Sequence, residues 1–134
     1  MDDYKRGGHS KHSMKVHLIF VTKYKRKTFD IRHMKDNIKQ FLYDATKGQP
    51  FGVLQMETDK DHVHMLIEYN PTISVSVMVK HLKQYSIYQM WRHHGEYLSG
   101  VYWKRKVLWS DGYFACSIGQ VSQQTIERYI SNQE

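Results

Sequence analysis

Residues 51–69, FGVLQMETDKDHVHMLIEY, hold two apolar runs separated by a short polar turn. The runs predict strands at 51–57 and 62–69, because each is rich in apolar residues and each borders the polar turn at 58–61. Two such runs joined by a short turn are typical of a β-hairpin. A two-stranded hairpin is only marginally stable in water, so neighbouring segments must cover its apolar face.

The segments before the hairpin predict a strand and a helix. Residues 14–22 alternate between apolar and polar side chains, which is the pattern of a strand. Residues 31–47 carry apolar side chains at helical spacing, beginning with Ile31, and predict a helix. Asp30 is the expected N-cap of this helix and Gly48 the expected stop.

The segments after the hairpin continue the alternation of helix and strand. A second helix is predicted at 75–94, with Ser74 as its N-cap and Gly95 at its end. The remaining segments are predicted to be an irregular stretch, a short strand and a final helix, at 96–112, 113–118 and 122–133 respectively.

The predicted order is β-α-β-β-α-β-α, and its first six elements match the split βαβ, or ferredoxin-like, arrangement. We therefore predict an α+β fold with a four-stranded antiparallel sheet, two helices on one face and a C-terminal helix. The 134 residues are expected to form one domain, in which residues 1–12 are loosely structured. Because this fold hosts many functions, the function must be inferred from particular side chains.

Composition excludes several classes of protein. The single cysteine, Cys116, excludes an internal disulfide framework, and no apolar run approaches the roughly 18 residues that a membrane helix needs. The chain also begins without the apolar stretch of a signal peptide. We therefore expect a cytoplasmic protein with no membrane partner.

The net charge of +7 is concentrated in two segments. Residues 1–27 have a net charge of +6 and residues 74–106 a net charge of +5. Residues 28–73 and residues 107–134 each have a net charge of −2. Two basic segments indicate a surface for a polyanion, with nucleic acid the first candidate, although a solubilising surface is the alternative. The basic residues at 23–27 surround Tyr24, and those at 104–106 are flanked by tryptophan and tyrosine. Cations that contact phosphates beside aromatics that stack on bases are typical of single-stranded DNA binding.

His62 and His64 form a candidate metal pair in the second strand of the hairpin. Side chains at i and i+2 of a strand point to the same face, so the two imidazoles are close enough to hold one divalent cation. A catalytic ion needs a further protein ligand, for which Glu57 and Asp61 are nearby. With nine histidines in the chain, a chance pair is the alternative.

Tyr129 and Gln133 lie four residues apart on the last helix and therefore project from one face. A phenol can attack a phosphodiester if a metal ion polarises the phosphoryl group, and the resulting phosphotyrosine bond conserves the energy for rejoining the strand. The alternative is a core tyrosine, since Ile126 and Ile130 share its face. Tyr85 and Gln89 repeat the same spacing on the second helix.

Four segments together resemble the single-tyrosine HUH transposases, the TnpA-type enzymes of small insertion sequences. The segments are residues 15–27 (KVHLIFVTKYKRK), 61–66 (DHVHML), 109–114 (WSDGYF) and 125–133 (TIERYISNQ). The resemblance extends over most of the chain, and it is specific because the four segments occur in the family's order.

The resemblance implies a complete catalytic site. His62, His64 and Gln133 would hold Mg²⁺ or Mn²⁺, and Tyr129 would attack single-stranded DNA to give a 5′-phosphotyrosine and a free 3′-hydroxyl. Hairpins near the ends of the element would be recognised by a homodimer, in which the tyrosine helix of one subunit can complete the metal site of the other. The expected DNA contacts are Lys23, Tyr24, Lys25, Arg26, Lys27, Lys80, Lys83, Lys104, Arg105 and Lys106.

Two other functions remain open at this point. One is a host nuclease of the repeat-associated HUH type, which would use the same chemistry on hairpins of host repeats. The other is a non-catalytic module that binds nucleic acid. An RNA-binding module of this fold would carry stacking aromatics on its central strands, where this chain has Val63, Met65 and Ile67 instead.

Overall fold

A four-stranded antiparallel sheet forms the centre of the molecule, as predicted. The computed structural model describes residues 13–117, 119 and 122–133, so the expectation for residues 1–12 lies outside the described residues. The strands are β1 (Met14–Val21), β2 (Phe51–Thr58), β3 (His62–Tyr69) and β4 (Phe114–Ser117). The helices are α1 (Met34–Asp44), α2 (Val75–Tyr102) and α3 (Gln123–Ser131). The strand order β2-β3-β1-β4 places β1 and β3 at the centre, which is the ferredoxin-like topology.

The two faces of the sheet carry separate hydrophobic cores. The larger core joins α1 and α2 to inward-facing residues of the central strands, such as Leu18 and Met65, which are fully buried. The smaller core lies on the opposite face, where Ile19 and Val21 pack against Ile126 of α3. Both faces of β1 are therefore covered, and among the described residues α3 is the helix that covers the second face.

Helix α2 is longer than predicted, and the expectation of irregular structure throughout 96–112 is wrong. The helix passes Gly95 with a kink at His94 (φ −134°, ψ 30°) and ends at Tyr102. Leu98 and Tyr102 continue the buried stripe of the helix, and this packing outweighs the roughly 1 kcal/mol that a glycine costs inside a helix. Ser74 caps the helix as predicted, because its hydroxyl accepts a hydrogen bond from the Val77 amide at 3.2 Å.

Helix α1 begins later than predicted. Its N-cap is His33, in the left-handed region at φ 69°, rather than Asp30. Ile31 is 45% exposed and lies outside the buried stripe, whereas Phe29 is fully buried. The side chain of Phe29 therefore packs in the core, and the helix begins only after the turn that follows it.

The C-terminal elements agree with the prediction within one or two residues. Strand β4 is described for four residues and pairs with β1, while Ile118 of the predicted strand lies outside the described residues. Ser122 caps α3 by accepting a hydrogen bond from the Thr125 amide at 3.1 Å. Gln133 lies just beyond the end of α3, where its backbone N–H donates to the backbone carbonyl of Ile130. Within the described part of the chain, no helix is long and apolar enough to cross a membrane.

Candidate active site

The histidine pair lies on the sheet face that α3 covers. In β3, Val63 and Met65 point into the larger core, so His62 and His64 point to the opposite side. The register places His62 opposite Val21 and His64 opposite Ile19, the two buried residues of β1 in the smaller core. The period of the strand therefore places both imidazoles beside the helix that carries Tyr129.

Each imidazole of the pair has a side-chain partner. The Nδ1 of His62 lies 2.9 Å from Oδ1 of Asp61. The Nε2 of His64 lies 3.0 Å from Nδ1 of His17, a residue of β1 that we did not expect at the site. The alternation along β1 could have revealed His17, because it shares the face of Ile19 and Val21. Burial lowers the pKa of His17, and burial together with the charges of His17 and His62 lowers the pKa of His64.

A cavity of about 460 Å³ lies between the histidine pair and α3. The β2–β3 turn forms one wall with Glu57 and residues 58–61, and α3 forms the other. The described residues of α3 that line the cavity are Gln123, Ile126, Glu127, Ile130 and Ser131. These five residues close this side of the cavity, and Tyr129 is not one of them.

Tyr129 and Gln133 are held to one side of this cavity. The Tyr129 ring lies 5.5 Å from the Phe114 ring between centroids, and burial raises the pKa of its phenol. Gln133 Oε1 accepts a hydrogen bond from the Ser110 hydroxyl at 3.4 Å, and the same hydroxyl lies 3.1 Å from the Val21 carbonyl oxygen. All four predicted site residues thus lie on one face of the sheet, with the phenol packed against β4.

The histidine and carboxylate side chains at the cavity do not by themselves complete a site for a hard divalent cation. A further ligand of another type is needed. Among the described residues, no group of three His, Cys, Asp or Glu side chains is placed to hold a metal ion. An amide oxygen and water are ligands typical of Mg²⁺ or Mn²⁺, whereas imidazoles are more typical of transition-metal ions such as Zn²⁺ and Fe²⁺. The Asp61 carboxylate contacts His62 in the way that outer carboxylates orient metal-binding imidazoles.

The two basic segments meet in space beside this site. Residues 23–25 form a single 3₁₀ turn after β1, in which Tyr24 and Lys25 adopt left-handed backbone angles at φ 59° and 52°. Arg105 donates a hydrogen bond to the hydroxyl of Tyr24 at 3.3 Å, although the two residues are 81 positions apart. We call the surface formed by residues 23–27 and 104–106 the basic platform.

The basic platform is tied directly to the histidine hairpin. Thr22 is fully buried, and its amide donates to the carbonyl of Asp61 at 3.0 Å. Its hydroxyl donates to the carbonyl of Arg26 at 2.6 Å. Thr22 therefore joins the basic turn to the residue that precedes His62.

Most of the predicted DNA contacts are exposed, but Lys83 is engaged within the protein. Its ammonium donates to the carbonyls of Ser110 and Gly112 at 3.0 and 2.7 Å, and it lies 5.4 Å from the centroid of the Phe20 ring. Burial lowers the pKa of Lys83. These hydrogen bonds hold the loop that bears Ser110. Lys80, one turn earlier on α2, is exposed.

A family model described as "Transposase IS200 like" matches residues 10–133. The chain belongs to the IS200-like transposase family. Membership confirms the resemblance to TnpA-type enzymes and makes the protein an insertion-sequence transposase, an enzyme that cleaves and rejoins DNA. It also decides against the non-catalytic binding module.

Individual relatives agree with the family assignment. The chain is 29% identical over 133 residues to the transposase for insertion sequence element IS200 of Salmonella typhimurium, a match that covers 99% of this chain and 85% of that protein. It is 27% identical over 131 residues to the ISDra2 transposase TnpA of Deinococcus radiodurans, a match that covers 98% of this chain and 91% of that protein.

Two solved structures share the fold of this IS200-like transposase. A crystal structure of a putative transposase from Deinococcus radiodurans superposes with a TM-score of 0.81 at 27% identity, over 91% of this chain and 92% of that one. A REP-associated tyrosine transposase bound to a REP hairpin superposes with a TM-score of 0.56 at 9% identity, over 87% of this chain and 62% of that one. The second likeness concerns the fold alone.

Proposed function

We propose that this transposase cleaves and rejoins single-stranded DNA through a covalent 5′-phosphotyrosine at Tyr129. The observation that supports it is the shared sheet face, on which the histidine pair, Tyr129 and Gln133 lie together. The phenol oxygen of Tyr129 attacks the scissile phosphorus, the bond from phosphorus to the 3′ oxygen breaks, and a free 3′-hydroxyl is released. The reverse attack by a 3′-hydroxyl rejoins a strand and frees the tyrosine.

His62, His64 and the amide oxygen of Gln133 would hold Mg²⁺ or Mn²⁺ at this site. When bound, such an ion polarises a phosphoryl oxygen and stabilises the charge that develops on it. The imidazoles would hold the ion in place, and the basic platform would bind the DNA strand beside the β2–β3 hairpin. DNA hairpins at the element ends are the proposed substrate, and the solved transposase of the same fold that is bound to a REP hairpin supports this. The prokaryotic cytoplasm is the proposed site of action.

We also propose that the active enzyme is a homodimer. In the single chain, α3 turns Gln123, Ile126 and Glu127 toward the histidine cavity, while Tyr129 packs on Phe114. Catalysis therefore needs α3 to be repositioned, either within its own chain or onto the site of a second copy. Gly119 precedes α3 with φ 94°, a backbone conformation that favours glycine and allows a sharp change of direction.

The proposed function is tested by trapping the covalent intermediate. Single-stranded oligonucleotides copied from the DNA on either side of the transposase gene, each with its hairpin, are incubated with the protein and Mg²⁺. We expect an adduct that survives denaturing electrophoresis and carries label from the 3′ side of the cut but not from its 5′ side. The same sequences as full duplexes should give no adduct, and EDTA should abolish it. Binding without any adduct would contradict the proposed chemistry.

The basic platform is expected to bind unpaired bases through Tyr24. The ring is 48% exposed, with Lys23 and Arg26 cations 5.5 and 5.8 Å from its centroid. Replacing Tyr24 with leucine should weaken binding of a single-stranded oligonucleotide by about 1–3 kcal/mol, roughly 5- to 150-fold, because one stacked base is lost. Fluorescence anisotropy measures the affinity, and 2-aminopurine quenching reports the stacking.

Two variants separate stacking from charge at the platform. Tyr24→Phe keeps the ring and should retain most of the affinity, although it loses the contact with Arg105. Arg26→Gln should reduce the slope of log affinity against log salt by about 1, while Tyr24→Leu leaves that slope unchanged. Equal loss in Tyr24→Phe and Tyr24→Leu would show that the hydroxyl, and not the ring, is important.

A further inference from the structure

His17 is a third imidazole beside the histidine pair, and no role for it follows from the family's tyrosine chemistry. It lies on β1, where it is paired with Leu66 and shares the sheet face of His62 and His64. Its Nδ1 is 3.0 Å from Nε2 of His64, and the two ring planes are inclined by 48° with centroids 5.1 Å apart. At that distance one nitrogen carries the proton and donates, while the other accepts.

The lining of two cavities separates His17 from the proposed metal site. It favours a role for His17 in orienting His64 over a role as a metal ligand. His62 and His64 both line the large cavity beneath α3, whereas His17 does not. His17 lines a separate cavity of about 100 Å³ with His64, Gln55 and Glu57. Since Nε2 of His64 is engaged by His17, the nitrogen of His64 that remains for an ion shared with His62 is Nδ1.

Asp61 makes the corresponding contact with the other imidazole. A carboxylate can only accept, so Nδ1 of His62 carries the proton that lies 2.9 Å from Oδ1 of Asp61. That hydrogen bond leaves the lone pair of His62 on Nε2. The hydrogen bond made by one ring nitrogen thereby selects the other nitrogen as the ligand.

We propose that His17 is a positioning residue that accepts a hydrogen bond from Nε2–H of His64 and so keeps the Nδ1 lone pair of His64 available for a divalent cation. His17 and Asp61 then select the ligand nitrogens of the two histidines independently, one through β1 and one through the hairpin turn. This inference rests on the proposed metal site.

The proposal is tested first by the tautomer of His64 in the metal-free protein. Long-range ¹H–¹⁵N correlation spectra should show His64 protonated on Nε2, with Nδ1 unprotonated. In His17→Phe, which keeps a ring but removes the acceptor, this preference should be lost. In His17→Asn, which places an amide near the position of Nδ1, it should be retained. His64 protonated on Nδ1 in the native protein would overturn the proposal.

The second readout is the affinity for Mn²⁺, measured by electron paramagnetic resonance without DNA. His17→Phe should weaken Mn²⁺ binding by about 10- to 100-fold, the usual effect of losing an outer hydrogen bond to a ligand, and His17→Asn should restore most of it. His81→Phe is the matched control, because His81 donates to the Ala45 carbonyl at 2.7 Å away from the site and should leave Mn²⁺ affinity unchanged. Thermal unfolding identifies any variant that fails to fold.

The outcomes separate this proposal from the proposed function. If the native protein binds Mn²⁺ and His17→Phe binds it equally well, the role of His17 is overturned while the metal site stands. If the native protein binds no Mn²⁺, the metal site itself is overturned, and the role of His17 with it. If His17→Asn binds as poorly as His17→Phe although both are folded, the hydrogen bond is not the cause and the proposal is overturned.

Discussion

Replacing Tyr129 with phenylalanine is expected to abolish the covalent protein–DNA adduct and to reduce strand cleavage by roughly 10³-fold or more, because no other group replaces a missing nucleophile. The fold should tolerate the change. The Tyr129 ring packs against Phe114, and phenylalanine preserves that contact. Denaturing electrophoresis with labelled hairpin DNA measures the adduct, and anisotropy should show that affinity for the DNA is retained.

Tyr85→Phe is the matched control for this experiment. Tyr85 has a glutamine four residues later, as Tyr129 does, but it lies on α2 and packs against the larger core. Adduct formation should therefore survive in Tyr85→Phe. If the adduct survives in Tyr129→Phe and is lost in Tyr85→Phe, the nucleophile lies on the other face of the sheet and our assignment is wrong.

The raised pKa of Tyr129 predicts how the rate of adduct formation changes with pH. Burial raises the pKa of the phenol above its ordinary value. Below that pKa the phenolate fraction increases by about tenfold per pH unit, so the rate of adduct formation should rise as pH increases from about 7 to 9. A rate that is constant over this range would mean that loss of the phenol proton does not limit the reaction.

Replacing His62 and His64 together with alanine is expected to have the second large effect. The double variant should lose Mg²⁺-dependent cleavage by at least about 100-fold, because the ion loses both imidazole ligands. The strand should persist, since Val63 and Met65 anchor β3 in the larger core and remain unchanged. Hairpin binding through the basic platform should change little, which separates the metal site from DNA affinity.

His93→Ala serves as the comparison for the double variant. His93 is exposed on α2 and stacks on Phe41 at 5.4 Å, remote in the fold from β3. It should cleave hairpin DNA at the native rate. Native cleavage by the double variant, with the same sensitivity to EDTA, would contradict the proposed ligands.

The architecture of the sheet could be predicted from the sequence because it depends on short-range periods. The alternation in β1 and β3 determines which residues point to each face, and the structure agrees for Val63 and His64. The end of α2 could not be predicted in this way, because Gly95 is a strong local stop signal. Only tertiary packing of Leu98 and Tyr102 outweighs that signal.

The sequence supplied candidate site residues, but it did not supply their contacts. Because side chains alternate between the faces of a strand, the sequence alone places His62 and His64 on one face. The four quoted segments identify the family. By contrast, the contact between His17 and His64 depends on the pairing of β1 with β3, and the contact between Arg105 and Tyr24 on the path of a loop. Lys83 shows the same limit, since no local pattern indicates that its ammonium is engaged by the carbonyls of Ser110 and Gly112.

The division of the molecule into two cores has a consequence for how its stability is distributed. Among the described residues, the larger core contains none of α3, and the apolar contacts of α3 with the sheet are confined to the few side chains of the smaller core, Ile19, Val21 and Phe114. Because local opening requires the loss of only the contacts that a segment makes, α3 can leave the sheet at a far smaller free-energy cost than global unfolding. The proposed nucleophile is therefore carried by a helix that can separate without disturbing the larger core, while the histidines lie on a strand that the larger core anchors.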